Sequence, residues 1–214
     1  MMLAAGRGQR LRPLTDSVPK PLVEVRGEKL VDRHLAALAA AGVDTVVINL
    51  GWLGEKIAAH VGSGNRHGLS VIYSPEGDDI LDTGGGIYRA LPMLGSDPFW
   101  VVNGDVYTDF TIPNDELPSG AVAELVLVPT PAHKSTGDFA LDDGRVRNAG
   151  EPMLTYSGIA RYRPDFFADA PGGRASVVPM LRSAADAGTL SGRLYEGTWE
   201  DVGTPERLDR LNRP

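Results

Sequence analysis

Leu3-Ala-Ala-Gly-Arg-Gly-Gln-Arg-Leu-Arg-Pro-Leu-Thr15, followed closely by Val18-Pro-Lys-Pro-Leu22, decides the reading of this chain. Gly6 and Gly8 let the backbone bend with positive φ and approach a ligand, so that successive N–H groups from Ala4 and Ala5 to Arg10 face phosphate oxygens. Arg10 adds a planar fork of donors and Lys20 a compact point charge. The whole is equipment for holding a triphosphate. An ordinary strand-to-helix glycine turn suits a lone Gly-x-Gly better than this longer string. A dinucleotide-binding Gly-x-Gly-x-x-Gly loop fits poorly, because Leu11 stands where the third glycine belongs and a Pro-Lys-Pro segment follows.

Beyond a short extended piece at 22–25, Leu30, His34, Leu35 and Leu38 recur at helical spacing and Gly42 supplies a stop, predicting a helix over 30–41. The β-branched run 45–48 reads as a strand, 53–61 as an amphipathic helix ending at Gly62, 69–73 as a strand and 86–91 as a helix. The strongly apolar strand 99–102 ends at Asn103-Gly-Asp105. Such alternation implies parallel pairing in an α/β sheet covered on both faces. The second half is β-rich, with strands at 122–128, 138–141, 145–147 and 156–162 and a hairpin turn at Asp143-Gly144. Helices near 176–187 and 205–211 bracket a strand around Leu194 and the Trp199 segment. No internal repeat is present, and hexapeptide β-helix repeats are missing.

The chain has 214 residues, enough for one sizeable core, and a net charge of −7. That acidity, with a pI near 5.1, speaks against nucleic acid and acidic membranes as partners. The absence of cysteine excludes disulfides and thiolate metal sites. No apolar run spans a bilayer and no signal segment is recognisable, so the expectation is a cytoplasmic protein. The four histidines show no ligand spacing and read as packing or surface residues.

The opening motif resembles the signature of the sugar-1-phosphate nucleotidyltransferases. The likeness extends to Tyr73-Ser-Pro-Glu-Gly77, Leu81-Asp-Thr-Gly-Gly-Gly-Ile87, Val102-Asn-Gly-Asp-Val106, Tyr156-Ser-Gly-Ile159 and Trp199-Glu-Asp-Val-Gly-Thr204, nearly the whole chain. It implies a single-domain, Rossmann-like (GT-A-like) α/β nucleotidyltransferase fold over 1–214 with a mixed, mainly parallel central sheet. Its nucleotide-binding part would be about 1–110 and its β-rich sugar-binding part about 111–214. In the family a buried strand precedes the loop, and here only Met1 to Ala5 are available to form it. The implied substrates are UTP and a sugar 1-phosphate, the branch acting on N-acetylmuramic acid 1-phosphate in cell-wall sugar recovery being the most similar, and a monomer is expected.

Asp105 lies just past the end of the most apolar strand, where ligands bind in open α/β sheets, and Asp201 precedes a turn opening a helix. As turn or helix-cap residues both would be unremarkable. Both match the family's metal positions, which implies Mg2+ held by Asp105 and Asp201, since magnesium needs only one or two carboxylates beside phosphates and water. Arg10 and Lys20 are then the catalytic cations. Ala4, Ala5, Gly6 and Gly8 match the phosphate cradle, and Gly77, Thr83 and Gly84 the nucleobase pocket, where small residues let a ring lie on backbone. Asn103, Gly137, Asp138, Ser157 and Gly158 match sugar-binding positions, with turn chemistry the alternative for the two glycines. Thr130 to Thr136, carrying His133 and Lys134, reads as a loop over the sugar site. Two departures stand out: the loop lacks the Gly-Gly-x-Gly-Thr-Arg form, and the sugar-pocket Glu-then-Asn pair of some relatives is not evident. A non-catalytic nucleotide sensor would be expected to lack Lys20 or the aspartates, and all are present.

Overall fold

A strand of only two residues lies inside the main sheet. In the computed structural model, which describes residues 1–77 and 80–213, β1 (Met2–Leu3) leads directly into the glycine loop. A small hairpin, β2 (Glu24–Val25) and β3 (Glu28–Lys29), precedes α1 (Leu30–Ala40). Then come β4 (Thr45–Leu50), α2 (Gly54–Val61), β5 (Ser70–Pro75), α3 (Asp82–Leu94) and β6 (Phe99–Asn103). The second half holds β7 (Val106–Thr108), β8 (Ala123–Pro129), β9 (Phe139–Asp142), β10 (Arg145–Arg147) and β11 (Met153–Tyr162). It ends with α4 (Val178–Asp186), β12 (Leu190–Leu194), β13 (Trp199–Asp201) and α5 (Pro205–Asn212). The expected elements are present; α3 starts earlier than the 86–91 estimate, and β7 and the β2–β3 hairpin were not anticipated.

Nine strands form one sheet in the order β5-β4-β1-β6-β11-β8-β12-β10-β9. β1 pairs in parallel with β4 through Met2 and Ile48 and with β6 through Met2 and Val102, so the few residues before the loop do suffice. "Mainly parallel" describes only the β5-β4-β1-β6 half. Farther on, β6, β11 and β8 run antiparallel, β8 and β12 parallel, and β12, β10 and β9 antiparallel again. β9 also pairs back onto β11. That closed circuit buries the central β8 on both faces, from Ala123 to Val128.

Strand periodicity divides the core. Val46 and Ile48 of β4 join Leu35 and Leu38 of α1 and Ile57 of α2 on one face. Val47 points the other way, into the cluster with Ile87 of α3, Leu181 of α4, Phe99, Phe139 and Phe167. Helices therefore cover both faces, and the loops at the C-terminal ends of β1, β4, β5 and β6 gather at one edge.

His34 of α1 is buried, as the apolar spacing suggested. Its imidazole bonds the Val106 backbone, and burial lowers its pKa from the usual 6.5 to about 4. The unfolded chain takes up this proton near pH 6.5 and the folded one does not, so stability is lost as pH falls from 6.5 toward 4. Between pH 7 and 5 the expected contribution is about 2 kcal/mol. Denaturant titrations at the two pH values should show His34→Gln losing that much less stability than the wild type; equal losses would refute the assignment.

Candidate active site

The glycine loop bends at Gly8, whose φ is +63°. A Cβ at Gly8 would lie 2.8 Å from Lys20 Cγ and 2.9 Å from Thr15 Cγ2, so glycine is required by both conformation and space. The Gly8 carbonyl accepts from Leu11 N–H at 2.9 Å and from Thr15 Oγ1 at 2.8 Å. Trp52 steadies the loop from β4's end: its backbone N–H donates to the Ala5 carbonyl and its indole N–H to the Thr15 carbonyl. Gly6 is exposed with open space beside it.

Two aspartates far apart in sequence meet through a small ladder. β13 pairs antiparallel with β7, setting Asp201 opposite Val106, and Val202 N–H donates to the Asp105 carbonyl at 2.8 Å. Lys20 Nζ donates to Asp105 Oδ2 at 2.7 Å, and Arg207 NH1 to Asp201 Oδ2 at 2.5 Å. Arg10 NH2 lies 4.0 Å from Asp201 Oδ2, and His133 Nε2 3.7 Å from Asp201 Oδ1. Four histidines read as packing or surface residues thus include one beside this carboxylate.

A cavity of about 260 Å³ opens at this edge. Ala4, Ala5, Gly6, Gly8, Lys20, Thr83, Asn103 and Asp105 line it, eight of the residues picked from the sequence. It adjoins a wider chamber of about 860 Å³, the two sharing Gly8, Lys20, Ile80 and Arg174. The wider chamber is lined by Arg7, Arg10, Lys20 and Arg174, with no carboxylate among its described lining residues, on a chain whose net charge is −7. Four cations converging on one hollow favour a polyanion. Sequence reasoning missed Arg7 and Arg174. Arg7 stood between the motif glycines and was passed over; Arg174 follows Gly172-Gly173 ahead of α4, a signal too slight to read alone.

The triple glycine has a packing reason that its sequence did not show. A Cβ at Gly84 would meet the Ala175 carbonyl at 3.0 Å, one at Gly85 the Gly173 carbonyl at 2.1 Å, and one at Gly86 Glu76 Oε1 at 2.6 Å. These glycines admit protein: they let the 173–176 loop dock on α3 and make room for Glu76. Thr83 Oγ1 accepts from Val177 N–H at 3.1 Å, fastening the same loop. Gly77 is exposed with φ +74° and lines neither cavity; the Asp78-Asp79 pair after it lies outside the described residues.

The sugar-side residues divide similarly. Asn103 faces the cavity, and Gly158, at φ +80° within an irregularity of the β11–β8 pairing, gives its side chain room: a Cβ there would sit 2.5 Å from Asn103 Nδ2. Gly137 lets the loop touch β11, since its Cβ would lie 2.5 Å from the Met153 carbonyl carbon. Ser157 is buried; its Oγ accepts from Ile159 N–H, and its carbonyl accepts from the Trp199 indole at 2.9 Å. Asp138 is half-exposed and bonded to Lys134.

The sequence profile described as nucleotidyl transferase matches residues 1–119. The chain belongs to the nucleotidyl transferase family. It is 45% identical to an N-acetylmuramate alpha-1-phosphate uridylyltransferase of Neisseria meningitidis serogroup B, over 97% of this chain and 94% of that one. A Caulobacter vibrioides protein of the same name is 38% identical over 96% and 92%. A mannose-1-phosphate guanylyltransferase of Mycobacterium tuberculosis is also 38% identical, over 98% of this chain and 62% of its own. Among solved structures, a Bacillus anthracis protein provisionally assigned as a glucose-1-phosphate thymidylyltransferase superposes with a TM-score of 0.85 over 99% and 92% of the two chains. At 20% identity it shows the nucleotidyl transferase fold alone.

The cationic chamber makes a direct prediction. Arg174 is exposed and makes no hydrogen bond or ion pair to a described side chain. Calorimetry at low salt should show Arg174→Ala binding pyrophosphate about tenfold more weakly, with the melting temperature unchanged.

Proposed function

We propose that this chain transfers a uridylyl group from UTP to N-acetylmuramic acid 1-phosphate, giving UDP-N-acetylmuramic acid and pyrophosphate. The observation that carries the reading is the four-cation chamber adjoining the Lys20–Asp105 pair, a polyanion site beside two carboxylates. Its substrate pair rests on the two uridylyltransferases that match nearly end to end. The product would return recovered cell-wall sugar to peptidoglycan synthesis.

A phosphate oxygen of the sugar 1-phosphate attacks the α-phosphorus of UTP, and the bond from that phosphorus to the pyrophosphate oxygen breaks on the opposite side. The attacking group is already an anion, so no side chain needs to take its proton and no covalent enzyme intermediate forms. Catalysis is positioning plus charge neutralisation. Lys20 meets the α-phosphate or the sugar phosphate; Arg10, with Arg7 and Arg174, meets the departing pyrophosphate. The amides of the Ala4–Arg10 loop cradle the phosphates, while Thr83 and its neighbours border the nucleoside.

Asp105 and Asp201 fit a magnesium ion. They are hard oxygen donors brought to one edge by the β7–β13 ladder, the kind of ligand a magnesium ion takes beside phosphate and water. When bound, the ion adds positive charge where the phosphates crowd. Lys20, paired with Asp105, and Arg207, paired with Asp201, hold the two carboxylates in place.

Pyrophosphate release with magnesium, crossing UTP, dTTP and GTP against N-acetylmuramate, N-acetylglucosamine, glucose and mannose 1-phosphates, tests the reading. UTP with N-acetylmuramate 1-phosphate should dominate; a preference for GTP with mannose 1-phosphate would replace the pathway and keep the mechanism. Lys20→Ala and Asp105→Asn should each lower turnover by about 10² to 10³ while remaining folded by circular dichroism. Near-normal rates in either variant would remove that residue from the mechanism.

A further inference from the structure

N-acetylmuramic acid differs from N-acetylglucosamine by a lactyl ether on C3 that ends in a carboxylate. A site that selects the first over the second needs a cation besides those that meet phosphate, because discrimination by a polar group depends on a partner built for it. At the phosphate end the cations are committed to that end: Lys20 pairs with Asp105, Arg207 pairs with Asp201, and Arg7, Arg10 and Arg174 line the wide chamber. A further cation, Lys134, lies on the segment joining β8 to β9, beside one of the positions matched to the sugar.

Lys134 Nζ stands 3.0 Å from Asp138 Oδ2, and among the described residues it is the lysine or arginine that ion-pairs with one of the sugar-side positions. The same carboxylate oxygen accepts from Tyr156 N–H at 2.9 Å, so Asp138 is anchored to β11 and fixes the ammonium in turn. The segment itself is tied down: Thr130 Oγ1 donates to the Met153 carbonyl at 2.8 Å, and Lys134 N–H closes a turn onto the Pro131 carbonyl at 2.9 Å. His133, one residue earlier, reaches to within 3.7 Å of Asp201, so the segment runs from the phosphate end of the site toward Asp138. The ammonium has three donors and spends one on Asp138, and its side chain is about 38% exposed.

We infer that Lys134 is a specificity-determining residue that binds the lactyl carboxylate of the sugar, with Asp138 holding its ammonium in place. This rests on the reading of the sugar as N-acetylmuramic acid 1-phosphate. A charge-assisted hydrogen bond at a half-exposed site contributes roughly a tenfold preference, rising toward a hundredfold if the bound sugar excludes water.

The test compares wild type and Lys134→Met, which keeps most of the side chain's length and removes the charge, on three acceptors with UTP. These are N-acetylmuramate 1-phosphate, its lactyl primary amide and N-acetylglucosamine 1-phosphate. In the wild type kcat/KM should fall about 10- to 100-fold from the acid to the amide, mostly through KM. Lys134→Met should lose that factor on the acid alone, keep its rate on N-acetylglucosamine 1-phosphate, and no longer tell acid from amide. A wild type indifferent to the three acceptors would overturn the sugar reading and this proposal with it. A wild type that prefers the acid, with a variant that keeps the preference within about twofold or loses rate equally on all three, would overturn the role of Lys134 alone. Partial recovery of the preference in Lys134→Arg would support it.

Discussion

One buried amide holds the site edge together. Asn49, at the end of β4, accepts through Oδ1 from Ala4 N–H at 2.6 Å and donates through Nδ2 to Glu76 Oε1 at 2.6 Å. The other oxygen of Glu76 accepts from Leu81 N–H at 2.7 Å. These bonds tie the root of the glycine loop, the ends of β4 and β5, and the entry to α3 into one unit. Both ends of the amide are engaged by groups of opposite kind, so its orientation is dictated. A buried carboxylate is costly unless its oxygens are bonded, and Glu76 meets that condition only while Asn49 and Leu81 keep their places. The phosphate loop and the floor of the cavity therefore share one rigid support.

On that support the charges are arranged for exchange. Lys20 and Arg207 balance Asp105 and Asp201, leaving the aspartate pair nearly neutral as a group. The surplus positive charge lies next door, with Arg7, Arg10 and Arg174. A polyanion entering the chamber would thus meet Arg7, Arg10 and Arg174 there as well as Lys20. Electrostatics of this kind act over about a Debye length and are weakened by salt, which ties substrate capture to ionic strength.

The elements that were legible in the sequence are those whose cause is local. The periodicity of α1, the β-branched run of β4 and the apolar β6 each carry their own signal, and the Gly8 bend with Lys20 was readable because a glycine at positive φ is needed there whatever surrounds it. What stayed hidden depends on distant partners. Nothing within Val106–Thr108 announces that it pairs with Trp199–Asp201, and only that pairing sets the two aspartates together. The triple glycine was visible, yet its reason lies in Glu76 and the 173–176 loop, neither of which its own neighbours specify. Ser157 and Gly137 stand out in a string of letters as ligand residues; the burial of the first and the backbone packed beside the second are packing reasons that the letters do not show.

The close approach of the 173–176 loop to α3 has a consequence for how the two halves work together. Gly85 N–H donates to the Ala175 carbonyl at 3.0 Å and Ala175 N–H to the Leu81 carbonyl at 2.9 Å, so the loop is stitched to the first turn of α3 by backbone bonds beside the one from Val177 to Thr83 Oγ1. Arg174 sits at the centre of this stitch and lines both cavities. Asp201 likewise comes from the second half and reaches the site through β7. A division into a nucleotide half and a sugar half is therefore one of location along the chain and not of assembly. The cationic chamber is complete only when the second half has folded onto the first, and any side chain at position 85 would meet the backbone that has to dock there.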